Sequence, residues 1–399
     1  MYITPIKKLN QFIPEQFKSD SFRTINFNNS NYILKIDFLS DLFHSFYIKY
    51  LRLKEVENQS IITLNLSSVI LRNKYGNNYI YYIQFLVDNE IIILKRNYTS
   101  GVRCKEYQFR LSFLRENIIV PYQNQNWKLI NYYNCITDEE SDIYPKRLSK
   151  HLKSCLRHIT MDYNRSKDYL ESAFPDKSSR KYLKNMNSIQ DIEDGNIYVK
   201  FDKYGRVHTN YTVLKKKIRT DYLLIDGLPV YERDISNSQA LFFLLLLSQN
   251  MDDTIDETEL LRFKTYIING VFYDDLCLFS DKSRDDIKVT FFKYLFGKKY
   301  QGFPEFKELY PSIYQYLFDY KTSLGDSKLV AQKLQGLEGD FIFNEVCMEL
   351  YKKKIVFFTI HDSICVTVKN KGILDEIFNR KMAVLINRIE GNISNYYGE

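Results

Sequence analysis

The sequence predicts an α+β fold in three regions, and three observations predict it. Apolar residues recur at helical spacing over Asp37–Lys54, Leu66–Tyr75 and Asn78–Asn89. Strand-like runs follow at IIILKRNY (91–98) and KEYQFRLS (105–112), with Gly101 at the bend between them. Far downstream, KIVFFTIHDSICVTV (354–368) reads as two strands joined at an acidic turn, His361-Asp362-Ser363. At 399 residues, 45% of them hydrophobic, the chain has length for two or three domains and apolar material for a large core. The expected regions are 1–115, 116–200 and 201–399.

In the first region the order is three helices and then a hairpin. Gly76 ends the second helix, and the third turns Ile80, Ile83, Leu86 and Val87 to one side. The segment SSVILRNKYGNNYIYYIQFLVDNEIIILKRNYTSGVRCKEYQFRL resembles the second helix, third helix and wing of winged helix-turn-helix domains. That resemblance implies a third helix in a major groove, with Lys95, Arg96, Arg103 and Lys105 of the wing against phosphates. The third helix carries little charge, so the same fold used for protein contact or as a rigid linker stays open.

The second region, 116–200, reads as polar and mostly helical, a thumb-like or linker segment. Its centre carries Lys146, Arg147, Lys150, Lys153, Arg157, Arg165 and Lys167 in one stretch. Basic residues at helical spacing can track a duplex backbone, and they also suit an ordinary solvated helix. Asp191–Gly195 is expected to be a connecting loop, with Asp191, Glu193 and Asp194 in a solvated turn.

Bulk properties narrow the function classes. A formal charge of +7 fits a polyanionic partner without specifying one. Cys104, Cys135, Cys155, Cys277, Cys347 and Cys365 form no C-x-x-C pair, so neither a zinc site nor a disulfide framework is indicated. The start, MYITPIKKLNQF, lacks the apolar core of a signal peptide, and the greasiest run, Ala240–Leu247, is too short to span a bilayer. A soluble cytoplasmic protein with no membrane partner is expected, inside the host cell if a phage encodes it.

The third region carries the chemistry. GLPVYERDISNSQALFF brings an apolar approach to Asp234 and then a helical apolar run, while Asp362 sits at the tip of the downstream hairpin. Either acid alone suits a cap or a turn. Together, on converging strands, they suit two Mg²⁺ ions about 3.5–4 Å apart, the arrangement phosphoryl transfer uses. Between them lies SRDDIKVTFFKYLFGKK, where Arg284, Lys288, Phe292 and Phe296 recur every fourth position before Gly297. At about 3.6 residues per turn these four line one helix face. Two cations can grip a triphosphate, and two aromatic rings can stack on a base.

Asp-x-Ser-x-x-Gln, then Arg-x-x-x-Lys-x-x-x-Phe-x-x-x-Phe-Gly, then His-Asp-Ser, in that order, resemble motifs A, B and C of family A DNA polymerases and single-subunit RNA polymerases. Gly205-Arg206 precedes the first motif, as that family's glycine-arginine pair does. Gln335-Gly336, expected to open the helix before the third motif, matches the family's glutamine near the minor groove of the nascent pair. The resemblance covers 200–399 and implies a right-hand polymerase palm and fingers, with the winged-helix-like domain at the amino terminus and the basic helical region in the middle. It implies that Asp234 and Asp362, with the Ile235 carbonyl, hold two Mg²⁺ ions. It further implies that Arg284 and Lys288 contact the triphosphate of the incoming nucleotide. Phe292 and Phe296 would frame that nucleotide, and Gln239 would screen its sugar. Gly297, Arg206, Gln335 and His361 would meet the primer-template.

The departures bear on the sugar. Gln239 stands where DNA polymerases have a glutamate, and Phe296 where both groups have a tyrosine. Ser363 matches the RNA polymerases. The leading expectation is a DNA polymerase of a phage or mobile element, acting on a DNA or RNA primer-template with dNTPs. An accessory replication protein is a further expected partner, since no proofreading domain or P-loop is read in the chain. A primase or RNA polymerase of the same fold, using NTPs, is the alternative. A catalytically silent palm that only binds nucleic acid is the third reading.

Overall fold

The computed structural model describes residues 6–27, 30–57, 62–99, 104–135, 144–202, 205–297, 302–326 and 328–398. The protein is α+β and divides into two compact units. One comprises Met1–Asp138, Thr160–Val199 and Thr209–Tyr222; the other comprises Glu139–Ile159, Lys200–His208 and Leu223–Glu399. The expected middle region is thus shared between the two. Among the described residues, no helix is long and apolar enough to cross a membrane.

In the first unit, helices Ile36–Glu57, Ser68–Tyr75 and Tyr79–Asp88 are followed by strands Ile92–Arg96 and Lys105–Phe109. A short strand, Leu64–Leu66, pairs with Lys105–Phe109 from the other side, giving a sheet with Lys105–Phe109 at its centre. Leu66 therefore ends a strand rather than opening the second helix. That helix is started by Ser67, whose hydroxyl accepts from the Ile70 amide, and is followed by Gly76 at φ 76°. The inward face of the third helix also differs from expectation. Tyr82, Ile83, Phe85 and Leu86 are buried, while Ile80 is 57% exposed. Aromatic side chains bury more apolar area than an isoleucine, and they set the helix's rotation here. Phe17, Phe43, Phe85 and Phe109 form the centre of this core, with the Phe17–Phe43 and Phe43–Phe109 rings edge to face.

Beneath that core lies a polar centre. Buried Asp41 accepts from Gln11 Nε2 (2.9 Å), Lys74 Nζ (2.8 Å), Tyr75 Oη (2.6 Å) and Tyr133 Oη (2.8 Å). Its charge is matched by the Lys74 ammonium, which is how a buried carboxylate is tolerated.

The acids at 191–194 are not a solvated turn. Asp191 and Glu193 lie in the helix Arg180–Glu193, and Asp194 caps its end. Asp191 accepts from Asn10 Nδ2 at 2.9 Å, and Asp194 pairs with Lys8 at 2.7 Å. Helical apolar spacing continues through Ile189 and Ile192, both buried, so the helix runs up to the acids. Burial pushes the Asp191 carboxyl up to about 7.

The second unit is built on an antiparallel sheet in the order Phe357–Ile360, Ser363–Thr367, Leu228–Asp234, Leu223–Ile225. The helix Ser238–Gln249, SQALFFLLLLSQ, is buried on every side from Ser238 to Ser248. An all-round apolar helix needs partners on both sides, and helices Lys328–Asp340 and Lys371–Tyr397 supply them. The first of these runs on through a π-helical turn, Phe341–Cys347, to Met348–Lys352. Because it begins at Lys328, Gln335-Gly336 lies inside this helix and does not open it. Such π turns are frequently found beside functional sites.

Candidate active site

Strand pairing brings the two aspartates together. Leu228–Asp234 runs antiparallel to Ser363–Thr367 with Asp234 opposite Ser363, so Asp362 is one residue from Asp234's direct partner. Opposed residues in such a pair sit about 4.5–5.5 Å apart at Cα. The Ile235 amide closes the junction by donating to the Asp362 carbonyl at 3.3 Å. His361 and Asp362 form the two-residue turn between Ile360 and Ser363. His361 has φ 53°, and Asn237, three residues past Asp234, has φ 51°. Left-handed backbone at a non-glycine residue costs energy, and here it flanks both acids.

The neighbourhood is electrostatically unbalanced. Burial pushes Asp362 up to about 6, with Glu338 and Asp234 adding like charge and Arg206 opposing them. An acid whose folded pKa is raised contributes stability that is complete below its ordinary value and lost as pH rises through the raised one. Metal-free Asp362→Asn is therefore expected to be more stable than wild type at pH 8, by about 2 kcal/mol. The gain should shrink as pH falls through 6 toward 4, where the wild-type carboxyl is itself neutral. Denaturant unfolding at several pH values checks this; a gain independent of pH would refute it.

Among the described residues no three His, Cys, Asp or Glu side chains converge on one metal position. Two carboxylates suffice for Mg²⁺ when substrate phosphates and water complete its shell. Asp234, Asp362 and the Ile235 carbonyl are hard oxygen donors of that kind. The excess negative charge around Asp362 is what a cation would offset.

Glu338, which no sequence signal singled out, is the centre of the site. It is 1% exposed and receives four donors. Arg206 Nε and Nη2 donate to one carboxylate oxygen at 3.1 and 2.6 Å. Ser238 Oγ at 2.7 Å and Gln239 Nε2 donate to the other. Arg206 is thus engaged by Glu338 through two N–H groups on one oxygen, and Gln239 is tied to the other oxygen of the same carboxylate. The faint clue was spacing: Glu338 stands three residues after Gln335, between Gly336 and Gly339, on the helix that Ser238–Gln249 packs against.

Gly205 is required by a close approach. It has φ 87°, and a side chain there would clash with the Tyr144 hydroxyl. That hydroxyl donates to the Gly205 carbonyl at 2.8 Å. Asp202 holds the turn further, accepting from the Arg206 amide at 2.9 Å and facing His208 Nε2 at 3.0 Å. The His208 and His361 rings approach to 5.9 Å.

The expected Arg/Lys/Phe/Phe helix spans Arg284–Phe296, capped by Ser283 accepting from the Asp286 amide. Ile287, Phe291, Tyr294 and Leu295 form its buried face, leaving Arg284, Lys288, Phe292 and Phe296 on a separate, more exposed stripe. Phe292 and Phe296 are 5.9 Å apart, and the Lys288 ammonium lies 5.7 Å from the Phe292 ring. Arg284 reaches Asp274 at 2.9 Å in a surface pair. Buried Lys321 anchors the other end, donating to the carbonyls of Tyr294 and Gly297. This helix packs on Lys328–Asp340, as Ser238–Gln249 does. Gln335 is half-buried within that shared helix.

The basic candidates lie on other elements. Lys146, Arg147 and Lys150 are exposed on the helix Lys146–Cys155, whose inner face is Leu148, Leu152 and Cys155. Arg157 is exposed just beyond it. In the first unit Lys95, Arg96 and Lys105 are exposed on the hairpin, with Arg96 lying 3.6 Å from Glu106. Arg103 lies outside the described residues.

No protein-family model matches the chain, and no curated protein matches it in sequence.

Proposed function

We propose that the protein is a template-directed DNA polymerase of the family A type, adding nucleotides to a primer 3′ end. The observation that carries this reading is the pairing of Leu228–Asp234 with Ser363–Thr367, which sets Asp234 beside Asp362 at the end of one sheet. A chance pair of turn acids has no reason to meet there with a capped Arg/Lys/Phe/Phe helix in the same unit. Asp234, Asp362 and the Ile235 carbonyl would hold Mg²⁺. Two such ions lower the pKa of an attacking hydroxyl and stabilise a leaving pyrophosphate. Arg284 and Lys288 would bind the triphosphate, Phe292 and Phe296 the base, and Gln239 would lie against the sugar. Gln335, His361 and Gly297 would line the primer-template, with Arg206 positioned through Glu338.

In the first unit, the order of helix, strand, two helices and hairpin supports a winged-helix-like domain. Lys95, Arg96 and Lys105 on the hairpin would contact phosphates there. The exposed Lys146, Arg147, Lys150 and Arg157 suit the same polyanion.

A primase or RNA polymerase of the same architecture is the second reading, favoured by Ser363 after Asp362 and by the uncharged Gln239. Purified protein with Mg²⁺ is expected to extend a labelled primer on a single-stranded template with dNTPs. Products made only from NTPs, or only without a primer, would select the second reading. No product from any combination would overturn both.

A further inference from the structure

Within the first unit, one face of the helix Ile36–Glu57 opens onto a cleft of about 560 Å³. Tyr47, Tyr50, Leu51 and Lys54 line it at helical spacing. A cavity of this size suits a small molecule rather than a lone ion. Tyr47 and Tyr50 are 3% and 6% exposed, yet neither hydroxyl has a hydrogen-bond partner among the described residues. A mostly buried hydroxyl at a cleft wall without a partner is a donor that an incoming acceptor can satisfy. Burial and the nearby Asp176 carboxylate push the Tyr47 phenol up to about 12, so it stays protonated at neutral pH. Burial raises the Tyr50 phenol as well, against the Arg115 guanidinium beside it.

The charges in the wall favour an anion. Lys54, Arg115 and Arg180 stand there with Asp176 as the single acid among the lining residues. That carboxylate is held by its own turn, accepting from the Ser178 hydroxyl at 2.6 Å and the Ser178 amide at 2.9 Å. Lys54 and Arg115 are exposed and make no hydrogen bond or ion pair with any described residue. Leu51, Ile62 and Leu114 give the same cleft an apolar side. Cations and phenol donors call for phosphate oxygens, and an apolar wall calls for a flat apolar body. A nucleotide joins the two.

We propose that this cleft is a nucleotide-binding site, taking a nucleoside 5′-phosphate with its phosphates on Lys54, Arg115 and Arg180 and accepting from the hydroxyls of Tyr47 and Tyr50. The site lies in the first unit and does not rest on the polymerase reading of the second. The same chemistry can reach it as a free nucleotide or as the 5′-phosphorylated end of a strand.

The test measures fluorescence anisotropy on the full chain in EDTA, with a labelled nucleoside 5′-diphosphate and with labelled oligonucleotides ending in 5′-phosphate or 5′-hydroxyl. A free nucleotide as the ligand predicts binding of the diphosphate, displaced by excess pyrophosphate and not by unphosphorylated nucleoside. A strand end as the ligand predicts that the 5′-phosphorylated oligonucleotide binds more tightly than its 5′-hydroxyl counterpart. Tyr47→Phe and Tyr50→Phe should each weaken the binding about fivefold, and Lys54→Ala and Arg115→Ala about tenfold, the effects of losing a neutral and a charge-assisted hydrogen bond. Both tyrosine changes keep the buried ring, and both cations are exposed, so the melting temperature should hardly move. Absence of diphosphate binding together with equal affinity for the two oligonucleotides would overturn the inference. So would four variants that bind as wild type does, or binding lost in Arg284→Ala and Lys288→Ala instead, which would place the nucleotide in the second unit. Primer extension, measured separately, bears on the polymerase reading alone.

Discussion

Asp234→Ala and Asp362→Ala are each expected to lower primer extension by about 10³-fold or more, with primer-template affinity retained. Removing one of two carboxylates that share a metal pair forfeits both Lewis-acid activation and alignment of the phosphoryl group. Residues that act as a unit are non-additive, so the double variant should be little slower than either single one. Neither change should unfold the protein. Asp234 is exposed, and neutralising Asp362 relieves repulsion from Glu338. Single-turnover extension, with fluorescence anisotropy for binding, separates the two effects. Near-normal extension by either variant would overturn the assignment; intact biological activity in Asp362→Ala with binding preserved would favour the catalytically silent palm.

Arg284→Ala and Lys288→Ala are expected to lower kcat/KM for the incoming nucleotide by about 10²-fold each, chiefly through KM. Each cation would make a charge-assisted contact to a triphosphate, a contact of about 1.5–3 kcal/mol. Both side chains are exposed, and the Arg284–Asp274 pair lies on the surface, where such pairs contribute about 0–1 kcal/mol. Thermal stability should therefore barely change, which separates a substrate role from a structural one. Arg284→Lys should recover only part of the loss, since an ammonium cannot make the bidentate contact. Steady-state kinetics against nucleotide concentration reads this directly, and an unchanged KM in both variants would remove the helix from the site.

Long periodic elements were legible from residues alone. The Arg284–Phe296 helix, the His361-Asp362 hairpin and the helices of the first unit follow from apolar spacing and from Ser and Gly at their ends, signals contained within a few turns of chain. Local signals failed where the deciding contact was distant or the element short. Leu64–Leu66 is too brief to show alternation and exists because Lys105–Phe109 offers it a ladder. Asp191 reads as a loop acid until Asn10, remote in sequence, supplies its hydrogen bond.

The same division runs through the candidate site. The sequence by itself determined which residues the proposed phosphoryl-transfer reading draws on. Two acids in strand-end turns and a helical stripe of two cations and two rings are properties of spacing. Only the tertiary structure decided which groups are committed to one another. Sheet pairing set Asp234 beside Asp362, the meeting of two helices drew Ser238 and Gln239 onto Glu338, and Arg206 joined them from outside both helices. A buried carboxylate has to satisfy its oxygens with whatever donors surround it, and those donors come from segments that no local pattern links.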